Sequence, residues 1–167
     1  PRGGQKGRVK IMSETDRKRR LEEVDQATKL LDFTKLVLFQ TMLPSLLGSL
    51  DCGFRYALMV VYDAGDFLFD APTVVKEREV LPWINVHVVD VAQRNGIQLT
   101  PHLVKVNNPL AKPGPVFNVL TKRAFLTGAD YVYRVNDDTE FATPWAQAFV
   151  NVLQGLGPPY GVVGPSC

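Results

Sequence analysis

Cysteine is nearly absent, with Cys52 and Cys167 the only two in 167 residues. Two are too few for a disulfide framework, and their spacing fits no metal-binding pattern. They can bridge to each other or stand as separate thiols. Histidine is as scarce: His87 and His102 sit in apolar stretches and lack the i, i+4 spacing of a helical zinc pair. Both read as ordinary core or surface residues. No run approaches the roughly 18 apolar residues of a membrane span, and the most apolar segment is interrupted by Gln40, Pro44 and Ser45. The N-terminus has no hydrophobic signal-peptide core. A Gly-X-Ser-X-Gly elbow, a Gly-X4-Gly-Lys-Ser/Thr phosphate loop and a Gly-X-Gly-X-X-Gly turn are all missing. Serine hydrolases of the α/β type, P-loop enzymes and dinucleotide-binding dehydrogenases are therefore set aside. There is no internal repeat and no low-complexity tract.

What is present suits one α/β core. With 46% hydrophobic residues the chain can bury a single core, and a second domain would be crowded. Net charge is only +2, but it is uneven. Residues 1–20 hold eight Lys or Arg against Glu14 and Asp16, so that stretch carries +6 and the remainder −4. A run such as Arg17-Lys18-Arg19-Arg20 can bind nucleic acid or an anionic membrane. Glu22, Glu23 and Asp25 follow at once, however, and no RNA-binding or helix-turn-helix signature accompanies it, so a solvated face is expected and no nucleic-acid partner.

Residues 1–7, PRGGQKG, read as a linker or disordered segment, and 8–167 as one domain. Arg8 to Thr15 reads as a first strand, with Ser13, Glu14 and Thr15 at its carboxyl end. Phe33 to Leu50 reads as helix, with Leu36, Phe39, Leu43 and Leu47 on one face and a kink or fresh start at Pro44. Phe54 to Asp66 reads as a strand ending in the turn Asp63-Ala64-Gly65-Asp66. Leu81 to Gly96 holds either a strand at Asn85 to Val89 or the end of a helix begun near Thr73. Gln98 to Val106 reads as another strand, followed by a loop from Asn107 to Pro115 long enough to suggest a function.

Chemistry concentrates further on. Lys112 to Gly128, KPGPVFNVLTKRAFLTG, is a Pro/Gly entry into a helix with Phe117, Leu120, Ala124 and Phe125 as its buried stripe. Tyr131 to Phe141, YVYRVNDDTEF, is an aromatic, β-favouring strand running into Asn136-Asp137-Asp138-Thr139. Two adjacent carboxylates at the end of a buried strand repel one another and lose hydration, which a cation would offset. That makes the turn a candidate metal site, located where open α/β sheets bind their ligands. The plainer reading is an Asp-rich turn that leads into the next helix, Pro144 to Leu156, with Thr139 or Thr143 as its N-cap. Tyr160 to Val163 then reads as a short strand entering the Gly164-Pro165 turn.

This succession from Lys112 to Pro165 resembles the nucleotide-sugar-binding half of a GT-A glycosyltransferase. The resemblance implies a three-layer, doubly wound, mostly parallel Rossmann-like sheet, and it implies that more chain is needed for the acceptor site, so the 167 residues are expected to be a fragment. It implies Mn2+ or Mg2+ held by Asp138, with Asp137 as a second ligand or a ribose contact and Asn136 as a neutral hydrogen-bonding group. The usual element has Asp at both outer positions, and Asn136 departs from it. Lys112 and Asn118 would line the donor pocket, and Asp63 and Asp66 would contact the ribose or nucleoside. The implied partner is a nucleoside diphosphate sugar, a UDP-sugar being favoured, with an unspecified acceptor. The location implied is the secretory lumen for an anchored eukaryotic parent, and otherwise the cytoplasm. Two rivals stand beside it: a degenerate transferase kept as a non-catalytic scaffold, and a metal-dependent nucleotidyltransferase.

Overall fold

A computed structural model describes residues 13–30, 32–66, 69, 76–109, 112–157 and 161–164. The linker at 1–7, the first-strand residues Arg8 to Met12, Thr73 and Tyr160 lie outside the described residues. The helix α1 (Glu14–Leu30) opens the described chain. Ser13 caps it, its Oγ accepting from the Asp16 N–H at 3.1 Å and donating to Asp16 Oδ2 at 2.7 Å. Ser13, Glu14 and Thr15 therefore start a helix instead of ending a strand. The side chains of Arg17, Lys18, Arg19 and Arg20 are exposed, and Arg19 forms an ion pair with Glu23 at 3.5 Å.

The expected helical region follows in pieces: a 3-10 turn at Phe33–Lys35, a π-helical turn at Leu38–Met42 and α2 (Leu43–Ser49). Pro44 has no N–H to give to the preceding turn, and the wider π turn takes up that break. The strand β1 (Arg55–Asp63) comes next. Then α3 (Lys76–Ile84), a π turn at Asn85–Val89 and α4 (Asp90–Arg94) form one continuous helical passage. The open alternative at 85–89 thus resolves as helix. Val80, Ile84, Val88 and Ala92 are buried at strict spacings of four. Such a stripe drifts around a helix of 3.6 residues per turn, and the π turn brings it back onto the core.

The strand β2 (Gln98–Val106) pairs with β1 in parallel, from Arg55 opposite Gln98 to Asp63 opposite Val106. Together they form a two-stranded sheet joined by the helical passage. One sheet face, with Tyr56, Leu58, Val60, Leu99 and Leu103, closes the core made by Phe33 to Leu50 and Val80 to Ala92. The wider doubly wound sheet is not among the described residues.

After β2, α5 (Pro113–Leu126) packs against β1, burying Ala124 and half-burying Phe117 and Leu120. Phe125, expected in the stripe, is 75% exposed. Tyr131 to Val135 is a correction: it joins no ladder among the described residues, and Tyr131, Val132 and Tyr133 lie open to solvent. The last helix, α6 (Ala146–Leu156), forms where expected. Residues 161–164 carry no regular structure, and Val162 is 93% exposed, so the closing strand is not formed over them.

Candidate functional site

The carboxyl ends of β1 and β2 lie side by side, Asp63 opposite Val106, and each strand ends in polar residues. The N–H of Ala64 donates to the carbonyl of Val106 at 2.6 Å and ties the two ends together. Beyond them the chains diverge into a turn on one side and the lead-in to α5 on the other. Asn108 bridges the divergence: its Nδ2 donates to Asp63 Oδ2 at 3.3 Å, while its Oδ1 accepts from the Lys112 N–H at 3.4 Å. A side chain after β2 thus positions both the carboxylate that ends β1 and the residue that caps α5.

Asp66 belongs to the same corner. Its N–H donates to Asp63 O at 3.0 Å, closing the turn at Ala64-Gly65, where Gly65 takes φ of 87°. Its Oδ1 accepts from the Phe69 N–H at 2.8 Å, and Phe69 stacks on Tyr62 with ring centroids 5.5 Å apart. Asp66 therefore shapes the turn, while Asp63 faces the α5 side. Of the residues singled out from sequence, Asp63, Asp66 and Lys112 converge here. Asn108 was not singled out, although its place just after a strand and before a Pro-rich helix start is a legible signal for an Asx contact.

The start of α5 is poorer in donors than its sequence implies. Lys112 takes the N-cap position, and Pro113 and Pro115 have no N–H to offer, which leaves the Gly114 N–H as the donor of the first three helical residues. Gly114 itself is exposed, and a Cβ added there would meet nothing within 4 Å among the described residues. The helix dipole still favours an anion, with the exposed Lys112 ammonium alongside. Asn118 lies further along α5, exposed and beyond its first turn.

The acidic turn is held from both sides by aromatic residues. Tyr133 stacks on Trp145 at 4.5 Å and packs near Phe149, and Val135 touches the core. The Arg134 guanidinium lies over the Phe117 ring at 5.8 Å, so the chain two residues before Asn136 reaches the first half of α5. Thr139 N–H donates to Asn136 O at 3.3 Å, closing the turn. Asn136, Asp137 and Asp138 are exposed. The desolvation expected of a buried carboxylate pair is therefore absent, and solvent and salt moderate their repulsion. Neither Thr139 nor Thr143 caps α6. Asp51, from before β1, does so, its Oδ2 accepting from the Gln147 N–H at 3.0 Å.

No set of three or more His, Cys, Asp or Glu side chains converges among the described residues. Asp137 and Asp138 alone suit a hard cation that keeps water or takes phosphate oxygens as its other ligands. His87 is exposed and tilts over Trp83 at 4.5 Å, beside an apolar cleft of about 250 Å³ between α2 and the π turn at Asn85–Val89. His102 is half-buried on β2, and Cys52 is an exposed free thiol. In comparisons with known proteins the chain matches no protein-family model, no curated protein and no solved structure. No helix among the described residues is long and apolar enough to cross a membrane.

Proposed function

We propose that this chain is the donor-binding part of a GT-A-type glycosyltransferase, taking a nucleoside diphosphate sugar, a UDP-sugar foremost, with Mn2+ or Mg2+ on the diphosphate. The observation that carries the reading is the corner at the parallel strand ends, where Asn108 holds Asp63 against the start of α5. Parallel sheets bind ligands outside their carboxyl ends, and this corner offers a carboxylate for ribose hydroxyls and a cation beside an open helix start for phosphate. Asp138, with Asp137, would supply the protein oxygens for the cation, and Asn136 a neutral hydrogen bond to a bound water or ribose. Held by these residues, the cation would supply positive charge to offset the charge that develops on the diphosphate leaving group.

A second reading is favoured by Asn136, which removes one charge from the acidic element, and no third acidic ligand converges on it among the described residues. It is a transferase-like module that binds without catalysis. Calorimetry with UDP, with and without Mn2+, tests the proposal. Binding should strengthen at least tenfold with the cation, and Asp138→Asn should remove that gain while thermal stability stays at the parent's. Equal affinity with and without Mn2+ would remove the donor-binding reading, whereas linked binding without sugar transfer or donor hydrolysis would leave the non-catalytic one.

A further inference from the structure

The helix α5 is apolar on both of its sides. Toward β1 it buries Ala124 and half-buries Phe117 and Leu120. On the opposite side Val119, Lys122, Arg123 and Leu126 follow at i, i+3, i+4 and i+7, the spacing of one helical face, and all four are exposed. Leu126 is 71% exposed, and Phe125 beside it 75%. Scattered apolar side chains on a surface are ordinary, but a group of them at one place marks an interaction site.

The group continues past the helix. Tyr131 is exposed just after the end of α5, and its Oη accepts from Gln154 Nε2 at 3.4 Å. That contact sets the C-terminal ends of α5 and α6 at the same end of the molecule. Leu156, the last residue of α6, is exposed there as well. A Cβ on Gly161 would come within 2.8 Å of the Leu153 side chain, so the exposed Val162 adjoins the same end.

Charge sorts with this surface. Between residues 113 and 136 Asp130 is the only acid, against Lys122, Arg123 and Arg134, and residues 141–167 contain no charged side chain. The corner formed by Asp63 and Lys112 stands at the other end of α5, roughly 20 Å away for a helix of 14 residues. An acid-poor surface that joins protruding apolar side chains to two cations is complementary to an anionic interface.

We propose that this end of the molecule docks on an anionic lipid surface. Phe125 and Leu126 enter the boundary between headgroups and acyl chains, while Lys122 and Arg123 lie along it and reach the anionic headgroups. Tyr131, apolar in body and polar at its tip, suits the same boundary. Shape favours lipid over a protein partner: these side chains project from a helix end, where a fluid bilayer takes in any outline and a protein would need a matching pocket. The inference goes beyond the donor-binding reading and holds without it.

Flotation of the full chain with lipid vesicles tests it. Binding to phosphatidylcholine vesicles containing roughly 30% phosphatidylserine should be at least about tenfold stronger than to phosphatidylcholine alone. Phe125→Ser combined with Leu126→Ser should weaken it at least about tenfold, and so should Lys122→Gln combined with Arg123→Gln. All four positions are exposed, so thermal melts of both variants should match the parent's. Two controls should bind within about twofold of the parent: Val86→Ser, an exposed apolar residue on the π turn, and Arg17→Gln with Arg19→Gln in the basic run of α1. A parent chain that does not float with the anionic vesicles, undiminished binding by the Phe125→Ser, Leu126→Ser chain, or binding that depends on Arg17 and Arg19 instead would overturn the proposal. So would a vesicle-free dimer, seen by sedimentation and lost in that same variant, since a second copy would then cover this end.

Discussion

Tyr56 concentrates more chemistry than any other described residue outside the candidate site. Its hydroxyl donates to Asp51 O at 2.9 Å and accepts from the Asp51 N–H at 3.1 Å. Burial raises its pKa above 10.0; the backbone hydrogen bond to Asp51 works the other way, and the negative charges of Asp51 and Cys52 add to the rise. An acid whose folded pKa is raised is ionised more easily in the unfolded chain. Its contribution to stability is therefore whole below pH 10 and is lost as pH climbs through the folded value. Tyr56→Phe should cost about 1 kcal/mol at neutral pH through the lost hydrogen bonds. Its stability should also fall less steeply than the parent's above pH 10, and urea melts from pH 7 to 11 read both. Parallel slopes would mean that the phenol does not feel its surroundings.

Among the elements, α6 depends on a cap from far away in sequence. Asp51 accepts from Gln147 N–H at the first turn, while its own backbone holds Tyr56. Asp51→Ala should destabilise the chain by about 1 kcal/mol and fray α6, with Asp51→Asn recovering most of the loss because an amide oxygen also caps. Thermal melts by circular dichroism measure this, and an Asp51→Ala chain as stable as the parent would rule out the cap. Neighbouring Thr139 and Thr143 were the legible caps, and a partner 96 residues away leaves no local signature. Elements whose stabilising neighbours are close in sequence, or whose apolar pattern is strong, were readable. Gln98 to Val106 forms the strand expected of it, and α5 and α6 lie within a residue or two of their expected places. Tyr131 to Val135 pairs with no backbone among the described residues, and β propensity alone, which describes a side chain's fit to a sheet, names no partner strand. The polar corner was half legible: Asp63 and Lys112 stood out by type and position, but Asn108, which joins them, is an ordinary loop residue until both strand ends are side by side.

At the scale of the whole molecule, the proposed site would draw on three stretches: the end of β1, the lead-in to α5, and the turn at Asn136 to Thr139. Asp63 and Lys112 are linked through Asn108, whereas Asp137 and Asp138 take part in no hydrogen bond or ion pair among the described residues. A ligand that spans these stretches would bind the folded chain and not the unfolded one, so by mass action it raises stability by about 2.7 kcal/mol at a hundredfold excess over its Kd. For a chain of this size each kcal/mol moves the midpoint by roughly 2–4 °C, which gives a rise of roughly 5–10 °C. Carboxylates alone hold a cation weakly, and a diphosphate alone meets a donor-poor helix start with Pro113 and Pro115 in its first turn. The proposed arrangement therefore predicts synergy: UDP with Mn2+ should lift the melting midpoint by more than the two separate shifts combined. Asn108→Ala should shrink that lift by releasing Asp63, while the midpoint of the ligand-free protein changes by no more than about 3 °C, as befits the loss of two long, solvent-accessible hydrogen bonds. Differential scanning fluorimetry across the four ligand conditions decides it. Merely additive shifts would show that cation and nucleotide do not share a site on this chain.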